Sequence, residues 1–218
     1  MPGSLASLPA VEIDGHKSSG LGSDAHPMRI MTRRAAGLQG EPWDDDARAT
    51  VAAFFDDLAP EWHTRTGPAR DAVVADALER GVAELSSADV CVELGSGIGA
   101  YTPTLARRWA RVLAVEVSLE MSSRGPLDAG HRLLADGAAL PLADGTADAV
   151  VLVNCFLFPA EVARVLSPDG VVVWVNSSGA ETPIHLPVDD VVAALPGAWT
   201  GVHAQAGLGI WAVLRRAR

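Results

Sequence analysis

The stretch Val90-Cys91-Val92-Glu93-Leu94-Gly95-Ser96-Gly97-Ile98-Gly99 decides the reading of this 218-residue chain. A short, nearly all-apolar strand (90–94) runs into a glycine loop, and Thr102-Pro103 opens a helix reaching Trp109. Glycines in such a loop let the backbone turn tightly and approach a ligand where a Cβ would collide. Further short apolar runs follow at 112–117, 133–135, 149–154 and 171–176, with helical stretches at 159–166 and 187–195. Strands that stay apolar without alternating are covered by helices on both faces. Residues 199–203 and 210–214, joined through Ala206-Gly207-Leu208-Gly209, predict a closing hairpin. The fold class is α/β: an open, mostly parallel sheet of about seven strands with an antiparallel C-terminal end, its ligand expected at the strands' carboxyl ends.

Upstream of the sheet, Asp44 to Asp46 can cap and charge a helix start. Val51, Phe54, Phe55, Leu58 and Trp62 continue it at helical spacing. Thr66-Gly67-Pro68 opens a second helix that Gly81 ends. Residues 1–40 differ in kind: they hold no aromatic side chain, and 14 of the 40 are Gly, Ser or Pro. Their composition predicts a disordered tail. The expected division is therefore a tail at 1–40, N-terminal helices forming a lid or cap at 41–86, and a core at 87–218.

The formal net charge of −10 speaks against binding to nucleic acid, which needs clustered basic residues, and against an anionic membrane surface. Of the 17 basic residues only Lys17 is Lys, and the Arg excess reads as genomic coding bias rather than a phosphate-binding signal. Cys91 and Cys155 form neither a disulfide framework nor a metal-ligand spacing, so two buried free thiols in a reducing cytoplasm are expected. The longest apolar run, 149–160, is too short to span a bilayer, and no basic stretch followed by an apolar core opens the chain.

Two ligands compete for the glycine loop. A dinucleotide site wants G-x-G-x-x-G/A and an acid about 20 residues on; Gly95, Gly97, Ala100 and Glu116 satisfy both. Two further residues separate the candidates. Glu93 stands beside the loop, where a carboxylate would repel a pyrophosphate and suit a cationic ligand such as an ammonium group. Asp136 ends the third strand, placed to accept from an adenine amino group. Three acids at three strand ends suit an adenosyl ligand without phosphates.

With these residues assembled, the chain resembles the class I S-adenosylmethionine-dependent methyltransferases, and most nearly the small-molecule branch related to the ubiquinone and menaquinone biosynthesis enzymes. Glu93-x-Gly95-x-Gly97-x-Gly99 is similar to the family's first motif. Val115-Glu116-Val117-Ser118, followed by Met121, matches the second. The run 134–150 matches the third, and Glu161-Val162-Ala163-Arg164-Val165-Leu166-Ser167-Pro168-Asp169-Gly170 the segment before the fifth strand. The resemblance covers roughly residues 50–178. It implies a three-layer Rossmann-like fold with an N-terminal helical lid, S-adenosyl-L-methionine (SAM) as cofactor, S-adenosyl-L-homocysteine (SAH) as product, and a small-molecule acceptor. Carried over residue by residue, Glu93, Gly95, Ser96, Gly97 and Gly99 hold the methionine end. Glu116, with Val117, Ser118 and Met121, holds the ribose. Asp136, Gly137 and Ala138, with Leu140, hold the adenine.

Methyl transfer is an in-line displacement that needs alignment more than a catalytic group. Phe55-Asp56-Asp57-Leu58-Ala59-Pro60-Glu61-Trp62-His63 is similar to a lid segment of the same branch. Trp62 is a candidate to cover the methionine end, and His63 a candidate base, although the family often has Asp there. Arg65 and Arg70 are candidates for a carboxylate of cofactor or substrate. Asn154 lies just past the fourth strand, facing the transferred methyl. Cys155, Phe156, Phe158, Asn176 and His185 are candidates for the acceptor pocket. No metal site is read. The rival readings are a cofactor-binding regulatory or structural subunit without methyl transfer, and an NAD-dependent oxidoreductase.

Overall fold

The computed structural model describes residues 4–16, 20, 22–82, 89–126 and 129–218. Its strands are β1 (Leu5–Ser7), β2 (Val90–Leu94), β3 (Arg111–Glu116), β4 (His131–Leu134), β5 (Ala147–Val153), β6 (Leu166–Asn176), β7 (Trp199–Ala206) and β8 (Gly209–Arg216). The α-helices are α1 (Pro27–Ala35), α2 (Asp45–Leu58), α3 (Pro68–Asp76), α4 (Thr102–Ala106), α5 (Leu119–Ser123), α6 (Pro159–Val165) and α7 (Val188–Ala194). One sheet takes the order β1-β7-β8-β6-β5-β2-β3-β4. β4, β3, β2, β5 and β6 run parallel, and β8 pairs antiparallel with both β6 and β7. The order reverses between β2 and β5, which opens the crevice where such sheets bind ligands.

The apolar strands bury both faces. Along β5, Val150 and Leu152 point into one core, with α2, α6 and α7; Ala149, Val151 and Val153 point into the other, with α3 and α4. β6 and β8 alternate in the same way, with Trp174 in the first core and Trp211 in the second. α3 is thus a core layer of the sheet rather than lid: Val73 and Val74 are fully buried, and Asp76 accepts the Trp211 indole N–H at 2.6 Å. The expected boundary at 86/87 lies outside the described residues.

Much of the segment expected to be a disordered tail is built into the sheet and its first core. β1 adds an eighth strand, pairing parallel with β7 from Leu5↔Gly201 to Ser7↔His203. The backbone bonds continue from Leu8 N to His203 O and from Val11 N to Gln205 O. Without this segment β7 would present a row of unpaired N–H and C=O groups, so edge pairing orders a stretch whose composition alone would not fold. α1 follows, with Met28 and Thr32 buried. Its Arg29, 9% exposed, donates to the carbonyls of Ala180, Thr182 and Pro183.

α2 starts where the acidic run predicts: Asp44 caps it by accepting from the Ala47 N–H at 2.8 Å. The helix does not carry its apolar stripe to Trp62. Leu58 ends it, and Ala59–Arg65 forms a 3₁₀ turn with Pro60 at its start. Among the described residues, no helix is long and apolar enough to cross a membrane.

Candidate functional site

β2 delivers Leu94 and the loop Gly95-Ser96-Gly97 to the crevice. Gly95 turns with φ +70, and a Cβ there would stand 2.4 Å from the Cys155 sulfur, so a side chain fits neither the conformation nor the space. Four of the loop's N–H groups are committed within the protein. Gly95 and Ser96 donate to the Val115 carbonyl at 2.9 and 3.0 Å, Gly97 donates to Glu116 Oε2 at 2.7 Å, and Gly99 donates to the Ser96 carbonyl. A phosphate-binding loop does the opposite and aims free N–H groups at its ligand.

Glu116, at the end of β3, is 6% exposed. Its Oε1 accepts from the Val117 and Ser118 N–H groups, and its Oε2 from Gly97. A carboxylate offers about four acceptor positions, so three are filled and one on Oε2 remains. Burial pushes the Glu116 carboxyl above its ordinary value, opposed by these three N–H groups. Asp136, past β4, accepts from the Ala138 N–H at 2.9 Å and from the Trp43 indole at 3.2 Å.

Around these groups lies a cavity of about 940 Å³, its open mouth included. Of the expected cofactor residues it is lined by Trp62, Gly95, Ser96, Gly97, Glu116, Val117, Met121, Asp136, Gly137 and Asn154. Cys155, Phe156 and Phe158, expected at the acceptor, line this same cavity. Asn154 carries the positive φ of 50, and its side chain bonds twice to Ser177, which fixes the turn after β5.

Other candidates stand elsewhere. Glu93 is absent from the lining of this cavity: it is buried, 2% exposed, and accepts from the Thr102 hydroxyl at 2.5 Å. Burial above all pushes its pKa up to about 7, so near neutrality the negative charge expected there is only partial. Gly99, Ala138 and Leu140 lie behind the lining rather than in it. Ser118 is a structural cap, accepting from the Met121 N–H and donating to Asp56 of α2. His63 is exposed on the 3₁₀ turn and lines neither this cavity nor the one that adjoins it. Asn176 is fully buried, donating to the Ile184 carbonyl and accepting from the Leu186 N–H and His185 Nδ1. Burial and the nearby Arg29 push His185 down to about 4, which keeps it neutral and structural. Neither lines this cavity or the one that adjoins it.

The residues missed are Trp43 before α2, Tyr101 after the glycine loop and Ile184 after β6. Trp43 packs edge-on against Phe158 at 4.9 Å while its N–H holds Asp136. Phe55 meets Trp62 at 5.7 Å, and Tyr101 and Ile184 complete the wall. Trp43 stood out in the sequence only as the first aromatic residue; nothing local paired it with a residue 93 positions on. Glu161 and Arg164, matched to the family on sequence, have a visible task. They bind the Leu140 N–H, the Leu140 and Leu142 carbonyls and Asp144, and so pin the loop that follows Asp136. Among the described residues, no group of three His, Cys, Asp or Glu is placed to hold a metal.

A glycine loop after β2, an acid ending β3, another just past β4 and this strand order make a Rossmann-like fold. Residues 92–174 match a family model described as a methyltransferase domain. The fold is shared with DhpI in complex with SAH, at 21% identity over 78% of this chain and 97% of that chain, with a TM-score of 0.60. It is shared with the [4+2]-cyclase SpnF, at 18% identity over 59% and 60%, with a TM-score of 0.51. A chain from the complex between the Haloferax volcanii Trm112 methyltransferase activator and a methyltransferase matches at 23% identity over 56% and 59%, with a TM-score of 0.46. The chain spans about three fifths of the length of these last two. No curated protein matches it in sequence.

Proposed function

We propose that the protein transfers a methyl group from SAM to a small-molecule acceptor. The observation that carries this reading is the glycine loop: four of its N–H groups are spent on Val115, Ser96 and Glu116, while two carboxylates, Glu116 and Asp136, line the cavity beside it. That arrangement is poor for a pyrophosphate and suited to a cationic adenosyl ligand. The group fits the residues present. Glu116 keeps one acceptor position on Oε2 for a ribose hydroxyl, and Asp136 is held in place by Trp43 and Ala138.

When bound, the cofactor supplies a methyl already activated on a sulfonium. The protein's own contribution is position. Phe55 and Trp62 wall the cavity and exclude water, Asn154 fixes the backbone where β5 ends, and the docked α2 holds the wall in place through Asp56 and Ser118. Alignment of this kind supplies much of the rate of a displacement. The match to the ubiquinone-related branch rests on the 55–63 segment and the motif order, and the two buried free thiols fit a reducing cytoplasm.

The likeness to SpnF, described as a [4+2]-cyclase, favours one alternative: a cofactor-binding protein that does not transfer methyl. Release of SAH, measured with SAM and a panel of small acceptors, separates the two. The proposal expects SAH and methylated acceptor in equal amounts. SAM bound without turnover across the panel would support the alternative.

A further inference from the structure

A second cavity, of about 890 Å³ with its mouth, adjoins the first. The two share Phe55, Trp62, Arg65, Arg70, Asn154 and Ile184, so any group passing between them meets these side chains. The rest of the second chamber is built by segments remote in sequence: His26 and Met28 of the N-terminal segment, Phe54 and Leu58 of α2, and the turn after β6. Met28, Phe54, Leu58 and Pro183 make much of its wall apolar, while His26, Ser177, Ser178, Glu181 and Thr182 bring polar groups to it.

The junction is cationic. Arg65 and Arg70 are half-buried, and neither forms an ion pair among the described residues. Arg65 lies over the Trp62 ring at 5.9 Å, and Arg70 donates to the Arg65 carbonyl, which leaves both guanidinium groups with unused donors. A second, independent feature is Ser178. It lines the chamber, is 3% exposed, and its hydroxyl has no hydrogen-bond partner. A buried hydroxyl without a partner is costly unless something supplies one. The chamber's carboxylate, Glu181, accepts from the Gly20 N–H at 2.8 Å.

The junction also lacks a base. None of the six shared residues takes a proton near neutrality. In the first cavity, burial pushes Tyr101 up to about 12 and pushes the Cys155 thiol up as well, so both stay protonated. At the junction itself a neutral alcohol meets no base; His26 and Glu181 of the second chamber and Glu116 and Asp136 of the first already accept N–H groups of the protein. An oxygen that is already anionic needs no base.

From this we infer that the second cavity is the acceptor chamber, and that it takes a small molecule with an apolar body and an oxoanion, a carboxylate or phosphonate, held by Arg65 and Arg70 at the junction. The inference rests on the methyl-transfer reading above. In the step it implies, a lone pair of the acceptor's oxoanion forms the O–CH₃ bond while the electron pair of the methyl–sulfur bond stays on sulfur. The negative charge of the oxoanion and the positive charge of the sulfonium cancel, no proton leaves, and the product is an O-methyl ester.

Calorimetry on the full chain saturated with SAH tests this, using phenylacetate and 3-phenylpropionate, benzylphosphonate, and the matching primary amides as probes. The acids should bind about tenfold or more tightly than their amides, as expected for charge-assisted bonds to guanidinium. Whether carboxylate or phosphonate binds better identifies the oxoanion. Arg65→Gln and Arg70→Gln should each erase most of the acid preference while leaving amide binding unchanged. Ser178→Ala should weaken probe binding severalfold with SAH affinity intact. Equal affinity for acids and amides, or an acid preference that survives both arginine substitutions, would overturn the inference while SAH binding upheld the reading beneath it. Failure to bind SAH would overturn both. With SAM in place of SAH, the product should carry its methyl on oxygen; a methyl found on nitrogen or carbon would also overturn it.

Discussion

Glu93 shows how burial changes the task of a residue that the sequence marks out. Its place beside the glycine loop was readable, but its role depends on solvent, which the sequence does not show. Buried and bonded to Thr102, its carboxyl holds a proton up to about pH 7, against an ordinary 4.5. Between those values the native state binds a proton that the unfolded chain releases, so stability is lost as pH rises through this window and is flat above it. Glu93→Gln should abolish that slope and raise stability at pH 8 by up to roughly 3 kcal/mol, read from urea unfolding at several pH values. An unchanged slope would show that another group carries the proton. Asp136 is the opposite case. It lies at a cavity wall and is oriented by Trp43 and Ala138, so Asp136→Ala should weaken SAH about tenfold while thermal unfolding stays cooperative. Unchanged affinity would remove it from the site. Both acids were legible because the motif fixes their position along a strand. Trp43, Arg65 and Arg70 were less so, because their work depends on partners brought near only by folding.

Among the elements, β1 and α1 depart furthest from expectation. Their composition reads as tail, yet β7 offers β1 an edge and the turn after β6 offers Arg29 three carbonyls. Both kinds of support are non-local, so no window of sequence displays them. Arg29→Ala should leave those carbonyls without their charged donor and cost about 2–4 kcal/mol, seen as a melting temperature lower by roughly 5–10 °C. A shift below one degree would mean that α1 adds little to the fold. The glycine loop is the element whose sequence was most informative. Gly95→Ala places a methyl against the Cys155 sulfur in a left-handed conformation, with an expected cost of roughly 2–4 kcal/mol and loss of SAH affinity. Wild-type binding by a stable Gly95→Ala protein would contradict the close approach. The strands β2, β3, β5 and the second half of β6 were legible for a plain reason: each is a short apolar run, and a run buried on both faces has little polar alternation to blur it.

At the scale of the molecule, one sheet brings the glycine loop, Glu116 and Asp136 to neighbouring strand ends, and the segments before β2 enclose them. The sheet and the cofactor side of the crevice follow from patterns local to the chain. The second chamber does not, because His26, Phe54, Arg70 and Ser178 reach it from four separate segments. The central claim is that the crevice binds an adenosyl cofactor without phosphates. Isothermal titration of the full chain with SAH, and separately with NAD, tests it most directly. The account predicts saturable binding of SAH at one site and none of NAD; binding of NAD with no binding of SAH would contradict it.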